Sequence, residues 1–421
     1  MNVLLLGSGG REHAIAWKLS QSKKLTKLYV APGNPGIADI AECINIAANQ
    51  FYAISSFCVS QHIGMIIVGP EAPLVEGLVD FFKQTPEVKH IPIIGPNRSG
   101  AMLEGSKDFA KEFMVKYQIP TAQYKTITKY NLEEGLAFLK TLTPPYVLKA
   151  DGLAAGKGVI ITSDLLEASN TLTQMLEGMF GEASNKVVIE EFLDGIELSA
   201  FALFDGQNYL ILPEAKDYKR IGVADTGPNT GGMGSISPVP FATEAFMQKV
   251  ENRIIRKTLE GLIKENIDYC GFIFVGLMNV KGEPYVIEYN VRMGDPETES
   301  IMPRIESDLL EIFEACSKRK LNETKLQISP KTAATVMLVS GGYPGSYSTG
   351  YPIEFSESTE SIVFHAGTKK DGENINTQGG RVLAVCSMGN NMADALKKTY
   401  HAIEGIKFRD MYYRTDIGFD L

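Results

Sequence analysis

The chain of 421 residues is short of the residue types on which several kinds of chemistry depend. Its five cysteines (Cys43, Cys58, Cys270, Cys316, Cys386) include no C-x-x-C pair, so no thiolate metal framework is indicated. Scattered free cysteines fit a reducing compartment, and a cytoplasmic location is expected. The five histidines (His13, His62, His90, His365, His401) lie far apart, which leaves a histidine-rich metal site unsupported, although folding can still gather two of them. No apolar run approaches the ~20 residues that span a bilayer. The N-terminus begins at once with a strand and a glycine turn rather than a secretion leader. Basic excess is also lacking. A formal charge of −9 argues against general nucleic-acid binding and still allows a local basic pocket for an anionic metabolite. Repeats and low-complexity segments are absent.

What is present is a soluble globular composition, 44% hydrophobic and 22% charged, over a length that predicts two to four lobes. Residues 1 to about 100 alternate strands ("VLLLG", "KLYVA", "MIIVG", "IPIIG") with helical spacing. That alternation predicts a parallel α/β sheet with ligands at the carboxyl ends of its strands. A helix, "AMLEGSKDFAKEFMVKY", is expected from 101. A small α+β lobe follows, with capping pairs at Asn131/Glu134 and Asp164/Glu167. Residues 191–325 hold further strands, a glycine-rich loop and the amphipathic helix "FMQKVENRIIRKTLEGLI". The region beyond about 326 forms a third unit.

The opening "GSGGREHA" is close to a dinucleotide fingerprint but fails it. Glu12 stands where the third glycine belongs, and "KLYVA" runs into Pro32-Gly33 with no ribose-binding acid. A phosphate at the helix N-terminus remains open, as does a turn that only closes the packing. Loops "GPEAPL", with Glu71, and "GPNRSG" sit at further strand ends. "KADGLAAGKGVI" resembles a P-loop with the wrong spacing and with Gly158 in place of the Ser or Thr. It fits a lid whose Lys149 and Lys157 meet phosphate, or a plain surface hairpin. "VIEEFLDGIELS" can read a base edge and a ribose, or can be an edge strand with solvated acids. "DTGPNTGGMGSISP", beside the charged "KDYKR" with Asp217, is expected to be a loop without regular strand. In "VIEYNVRMGDPETES", strand alternation points Glu288 and Asn290 to one side, with Arg292 following if the strand persists. Two oxygen ligands beside phosphate suit Mg2+, and Arg292 offers a fork for a carboxylate or phosphate. A structural Glu288–Arg292 ion pair is the plainer alternative.

The lid, the strand ending "IEEFL" and the distal Glu-x-Asn together resemble the ATP-grasp superfamily. "GGREHA", "GPEAPL", "LEGSK", "KADGLAAGKGV", "DTGPNTGGMG" and "EYNVRMGDPE", in this order and with "FHAGTK" and "GGRVL" near the end, resemble one family within it, the phosphoribosylamine–glycine ligases. The resemblance implies an α/β and α+β multidomain fold. It would comprise a Rossmann-like N-terminal domain (1–101), an ATP-grasp domain (102–325, lid lobe about 122–190) and a C-terminal α/β domain (326–421).

It also implies an enzyme of de novo purine synthesis that joins glycine to 5-phosphoribosylamine. ATP would be spent to ADP and phosphate through glycyl phosphate, with Mg2+ or Mn2+ as the metal. The implied nucleotide-binding residues are Lys107, Lys149, Lys157, Glu190, Glu191, Phe192, Leu193 and Glu197. Glu288 and Asn290 would hold the metal, and Gly9, Gly10, Glu71, Arg292 and Asp295 the substrates. Arg292, Lys149 and Asp217 are the candidate catalytic residues. The partners expected are those small molecules alone, with no nucleic acid or membrane, and the chain is expected to be a monomer or a weak dimer. Two positions depart from the family pattern: Lys216 and Tyr218 stand where Gln and His are usual. Another ATP-grasp carboxylate–amine ligase and a catalytically silent nucleotide-binding protein are the alternatives.

Overall fold

In the computed structural model, which describes residues 1–152, 158–356 and 360–421, the first apolar run becomes the central strand of a parallel sheet. Its strands are β1 (Asn2–Gly7), β2 (Lys27–Pro32), β3 (Glu42–Cys43), β4 (Ile63–Val68) and β5 (Ile93–Ile94), in the order β3-β2-β1-β4-β5. A parallel sheet is covered on both faces, so β1 is apolar without alternation. Val3 and Leu5 enter one core while Leu4 and Leu6 enter another.

The single helix expected from 101 is two: α1 (Arg98–Gly105) and α2 (Lys107–Lys116). Ser106 is extended between them, and its hydroxyl accepts the Phe109 N–H at 3.1 Å. A side chain that caps a new helix ends the old one. The small lobe's sheet comprises β6 (Tyr124–Ile127), β7 (Tyr146–Ala150), β8 (Val159–Thr162) and β9 (Val187–Glu191), in the antiparallel order β6-β9-β7-β8. It has a small apolar core of its own. Asp164 caps its helix as expected, accepting the Glu167 N–H at 2.7 Å. Asn131 does not cap; its Oδ1 accepts the Thr128 N–H at 2.7 Å, a turn bond that competes with the helix.

The central lobe contributes β10 (Ile196–Phe204), β11 (Tyr209–Ile211), β12 (Lys216–Asp217), β13 (Gly234–Ser237), β14 (Gly271–Val280) and β15 (Glu283–Asn290). Strands β11-β10-β14-β15 form an antiparallel sheet, with a bulge at Ile287 where Gly276 faces Glu288 and Leu277 faces Val286. The stretch 225–238 is more ordered than the glycine count predicts. Thr226–Asn229 pairs with Arg220–Gly222, and Gly234 starts β13, pressed against the Thr335 carbonyl where a Cβ would clash. Glycine here permits close strand packing rather than mobility. Strands β12 and β13 join β16 (Thr332–Val339), β17 (Ile362–His365) and β18 (Arg381–Gly389) in the order β12-β13-β16-β18-β17. This sheet therefore crosses the sequence boundary near 325.

Candidate active site

A cavity of about 440 Å³ opens where these units meet. Helices α1 and α2, strands β7, β9, β12 and β15 and the loops beside them all contribute to its wall. Of the residues expected from sequence, Glu71, Lys107, Lys149, Glu190, Asp217, Glu288, Asn290, Arg292 and Asp295 line it. Gly9, Gly10, Glu191, Phe192, Leu193 and Glu197 do not. Lys157 lies outside the described residues; Gly158 and Val159, just after it, are on the wall.

One end is dominated by lysines. Lys149, on buried strand β7, is 2.9 Å from Glu190 Oε1, and its ammonium donates to the Ile287 carbonyl exposed by the bulge (3.3 Å). Lys111 reaches Glu190 Oε2 from the other side at 2.9 Å and donates to Thr121 Oγ1 at 2.7 Å. Burial alone would raise the Glu190 carboxyl, but the lysines on both sides outweigh it and hold the pKa below the usual range. Burial pushes the Lys111 ammonium down to about 8, and it lowers Lys107 as well. Lys107 donates to the Gly152 carbonyl at 3.3 Å, next to the lid. The expectation that residues 190–193 face a nucleotide finds Glu190's carboxylate engaged with lysines. Glu191 accepts the Gln123 N–H at 2.8 Å, and Phe192 is exposed. Glu197 reaches the cavity indirectly, through its ion pair with Lys219.

Glu288 and Asn290 both line the cavity wall, together with Ile287 and Tyr289 of the same strand. The Asn290 amide nitrogen is buried without a hydrogen bond, so this side chain has an unmet polar demand at the cavity. Among the described residues no cluster of three or more His, Cys, Asp or Glu gathers for a metal. Two protein oxygens beside phosphate are nevertheless a donor set that suits a hydrated Mg2+. Asp217 sits 3.7 Å from Lys219, and burial raises its carboxyl against the pull of that lysine. Glu297, accepting from Ser199 Oγ at 2.8 Å, is pushed up to about 7 by burial and then by Asp217.

The other end alternates guanidinium and carboxylate. Arg292 makes no pair with Glu288. Its Nε is 3.2 Å from Glu71 and one terminal nitrogen is 2.9 Å from Glu104. Burial would raise both acids. The arginines outweigh it at Glu71, whose pKa is lowered, but not at fully enclosed Glu104, whose pKa is raised. Arg381 pairs with Asp295 at 3.0 Å and donates to the Gly231 and Asp295 carbonyls.

The opening glycine turn is filled by the chain itself. The Gly9 N–H donates to Glu12 Oε2 at 2.7 Å, and a Cβ at Gly7 or Gly69 would overlap that side chain. Glu12 also accepts from Arg11 Nε at 2.7 Å, which holds Arg11 at the cavity. The residue that spoils the dinucleotide fingerprint thus takes up a backbone N–H of the turn.

Sequence reading missed Arg11, Glu104, Lys111 and Arg381. Lys111 was within reach, being four residues after Lys107 on one helix. Glu104 was not, since its partner Arg292 is 188 residues away and nothing local signals the pairing.

Family models describing the phosphoribosylglycinamide synthetase N domain, ATP-grasp (A) domain and C domain match residues 1–104, 105–298 and 333–420. A phosphoribosylamine–glycine ligase of Caldanaerobacter subterraneus subsp. tengcongensis is 46% identical, covering 99% of this chain and 99% of its own. One from Vibrio cholerae is 44% identical over 100% of this chain and 98% of its own. The crystal structure of phosphoribosylamine–glycine ligase from Thermotoga maritima superposes with a TM-score of 0.84 at 36% identity, covering 99% of this chain and 100% of that one. A biotin carboxylase domain from Hydrogenobacter thermophilus shares the fold alone, with a TM-score of 0.73 at 18% identity over 98% of this chain and 91% of that one. With all three domain models matched in order along the chain and relatives similar over its whole length, this protein belongs to the phosphoribosylamine–glycine ligase family of ATP-grasp enzymes.

Proposed function

We propose that the chain ligates glycine to 5-phosphoribosylamine, giving glycinamide ribonucleotide, ADP and phosphate, in purine biosynthesis. A carboxylate does not acylate an amine at neutral pH, because oxide would have to leave. In the proposed reaction a glycine carboxylate oxygen attacks the γ-phosphorus of ATP and ADP leaves, giving glycyl phosphate. The amine nitrogen then attacks the acyl carbon, the C–O bond to phosphate breaks, and the nitrogen gives up a proton. Positioning and charge neutralisation dominate such transfers, which agrees with a site that needs no protein nucleophile.

The observation that carries this reading is that one cavity joins Lys107, Lys149, Glu288, Asn290 and Arg292. Lys107 and Lys149 neutralise phosphate oxygens, with Lys157 as a further candidate. Residues 190–193 frame the base chiefly through their backbone, and Glu197 accepts from the ribose. Glu288 and Asn290 hold Mg2+ or Mn2+, which when bound screens the phosphate charge. Arg292 orients the glycine carboxylate. Glu71 and Asp295 take the ammonium and ribose hydroxyls, Asp217 steadies Lys219, and Gly9 and Gly10 shape the turn that aims Arg11 at the substrate.

The test is ADP release from purified protein given glycine, phosphoribosylamine, both, or other acids and amines. Release that requires both together is expected. Release with a different pair, or none with these two, overturns the reading.

A further inference from the structure

Residues 216–219 send alternate side chains to opposite sides. Asp217 and Lys219 line the cavity, whereas Lys216 and Tyr218 turn away from it and are only 4% and 1% exposed. A buried ammonium is costly unless paired. Its partner comes from more than two hundred residues further along: Lys216 Nζ is 3.1 Å from Asp420 Oδ2, and the Tyr218 hydroxyl donates to Asp420 Oδ1 at 3.0 Å. The same ammonium lies 4.0 Å from the centre of the Tyr218 ring. Arg414, fully buried, stacks against that ring at 5.3 Å and is itself paired with Asp225 and Asp416. The backbone around it is bonded at Ala215 to Ser199, at Tyr218 to Met233 and Gly234 and at Lys219 to Thr230, so what Asp420 adds is a hold on the side chains of Lys216 and Tyr218 from behind. β12 is two residues long and lies at the edge of its sheet, with β13 as its only neighbour there.

We propose that Asp420 is a positioning residue. By fixing Lys216 and Tyr218 from behind, it holds Asp217 and Lys219 at the cavity wall in the register that turnover requires. The inference rests on the proposed reading of the cavity as the ligation site. The competing explanation is structural: Asp420 would only neutralise a buried lysine.

Three variants separate the two, D420A, K216M/D420A and, should the alanine protein fail to fold, D420N read in the same way. D420A leaves Lys216 charged and alone, so its melting temperature falls. The double variant removes that charge, and melting temperature recovers. If Asp420 positions the strand, kcat/KM for glycine falls at least tenfold in D420A and stays low in K216M/D420A, while amide exchange of the 214–220 peptide quickens in both. Recovery of kcat/KM in step with melting temperature, or normal kcat/KM in D420A, overturns the proposal. Unchanged exchange at 214–220 in D420A overturns the brace whatever the enzymatic result. Should wild-type protein release no ADP with glycine and phosphoribosylamine, the functional reading fails while the exchange comparison still decides the brace.

Discussion

Glu190 stands between two buried ammonium groups, Lys111 and Lys149, at 2.9 Å from each. Neutralising it leaves two buried cations without their shared counter-charge. Charged hydrogen bonds are worth about 1.5–3 kcal/mol, so Glu190→Gln should lower the melting temperature and raise KM for ATP at least tenfold, measured by nucleotide titration. Glu288→Gln acts differently. It removes one of the two protein oxygens proposed to hold the metal, and ligation should be lost even at saturating Mg2+ while the melting curve stays near wild type. Arg292 couples both concerns. Arg292→Ala should cut kcat/KM for glycine at least about tenfold, with ATP affinity changed far less, since each ~1.4 kcal/mol is a factor of ten. It also leaves Glu104, whose side chain is only 7% exposed, with the Val291 N–H but without its ion-pair partner, so a loss of stability accompanies the kinetic defect. Arg292→Lys should rescue only partly, because a point charge cannot span Glu71 and Glu104 as the planar fork does. Normal glycine kinetics with weakened ATP binding would move Arg292 to the nucleotide site.

Among elements, the break at Ser106 matters most to the site. The Ser106 hydroxyl caps α2 and donates to Asp151 at 3.0 Å, and Asp151 in turn accepts the Asp108 N–H at 2.8 Å. Lys107, the first residue of α2, is held between these bonds. Ser106→Ala should cost about 1 kcal/mol, as cap losses do, and should raise KM for ATP as Lys107 loosens; denaturant melts and nucleotide titration check both. Apolar runs and alternation made most strands legible, and "YVLKA" is β7 to the residue. Breaks that hang on one side-chain hydrogen bond were not legible. Ser106 and Asn131 are both acceptable cap residues by type, and only the Thr128 turn bond distinguishes what Asn131 does.

Across the whole molecule, the N-terminal and C-terminal domains meet at two buried histidines. The His365 N–H donates to His13 Nδ1 at 2.8 Å. Burial pushes His13 down to about 3, with His365 adding to the effect, and pushes His365 to about 4 against the pull of Asp39. The unfolded chain therefore binds protons that the folded one refuses, and each histidine withdraws stability as pH falls below about 6.5. Glu297 has the opposite sign, since its raised pKa adds stability as pH falls through about 7. The clean measurement is thus a difference. Between pH 7 and pH 5, wild type should lose on the order of 1–2 kcal/mol relative to His365→Gln in urea unfolding. Equal slopes would mean that His365 takes up its proton in the folded state.

Read alone, the chain settled what depends on neighbours within a few residues. Strand periodicity pointed to the parallel N-terminal sheet, and Glu288 and Asn290, picked out by their spacing, both reach the cavity. Long motifs in register pointed to the family. Folding decided everything that depends on partners far apart. It put Glu12 into the turn expected to hold a phosphate and turned Arg292 from Glu288 to Glu71 and Glu104. It also set Arg381 and Asp295 together at the cavity and ran one sheet from β12 to β18 across the boundary near 325. The reason is physical: a side chain's rotamer and charge partner are chosen by whatever volume and counter-charge the packed lobes leave it, and no local pattern carries that information.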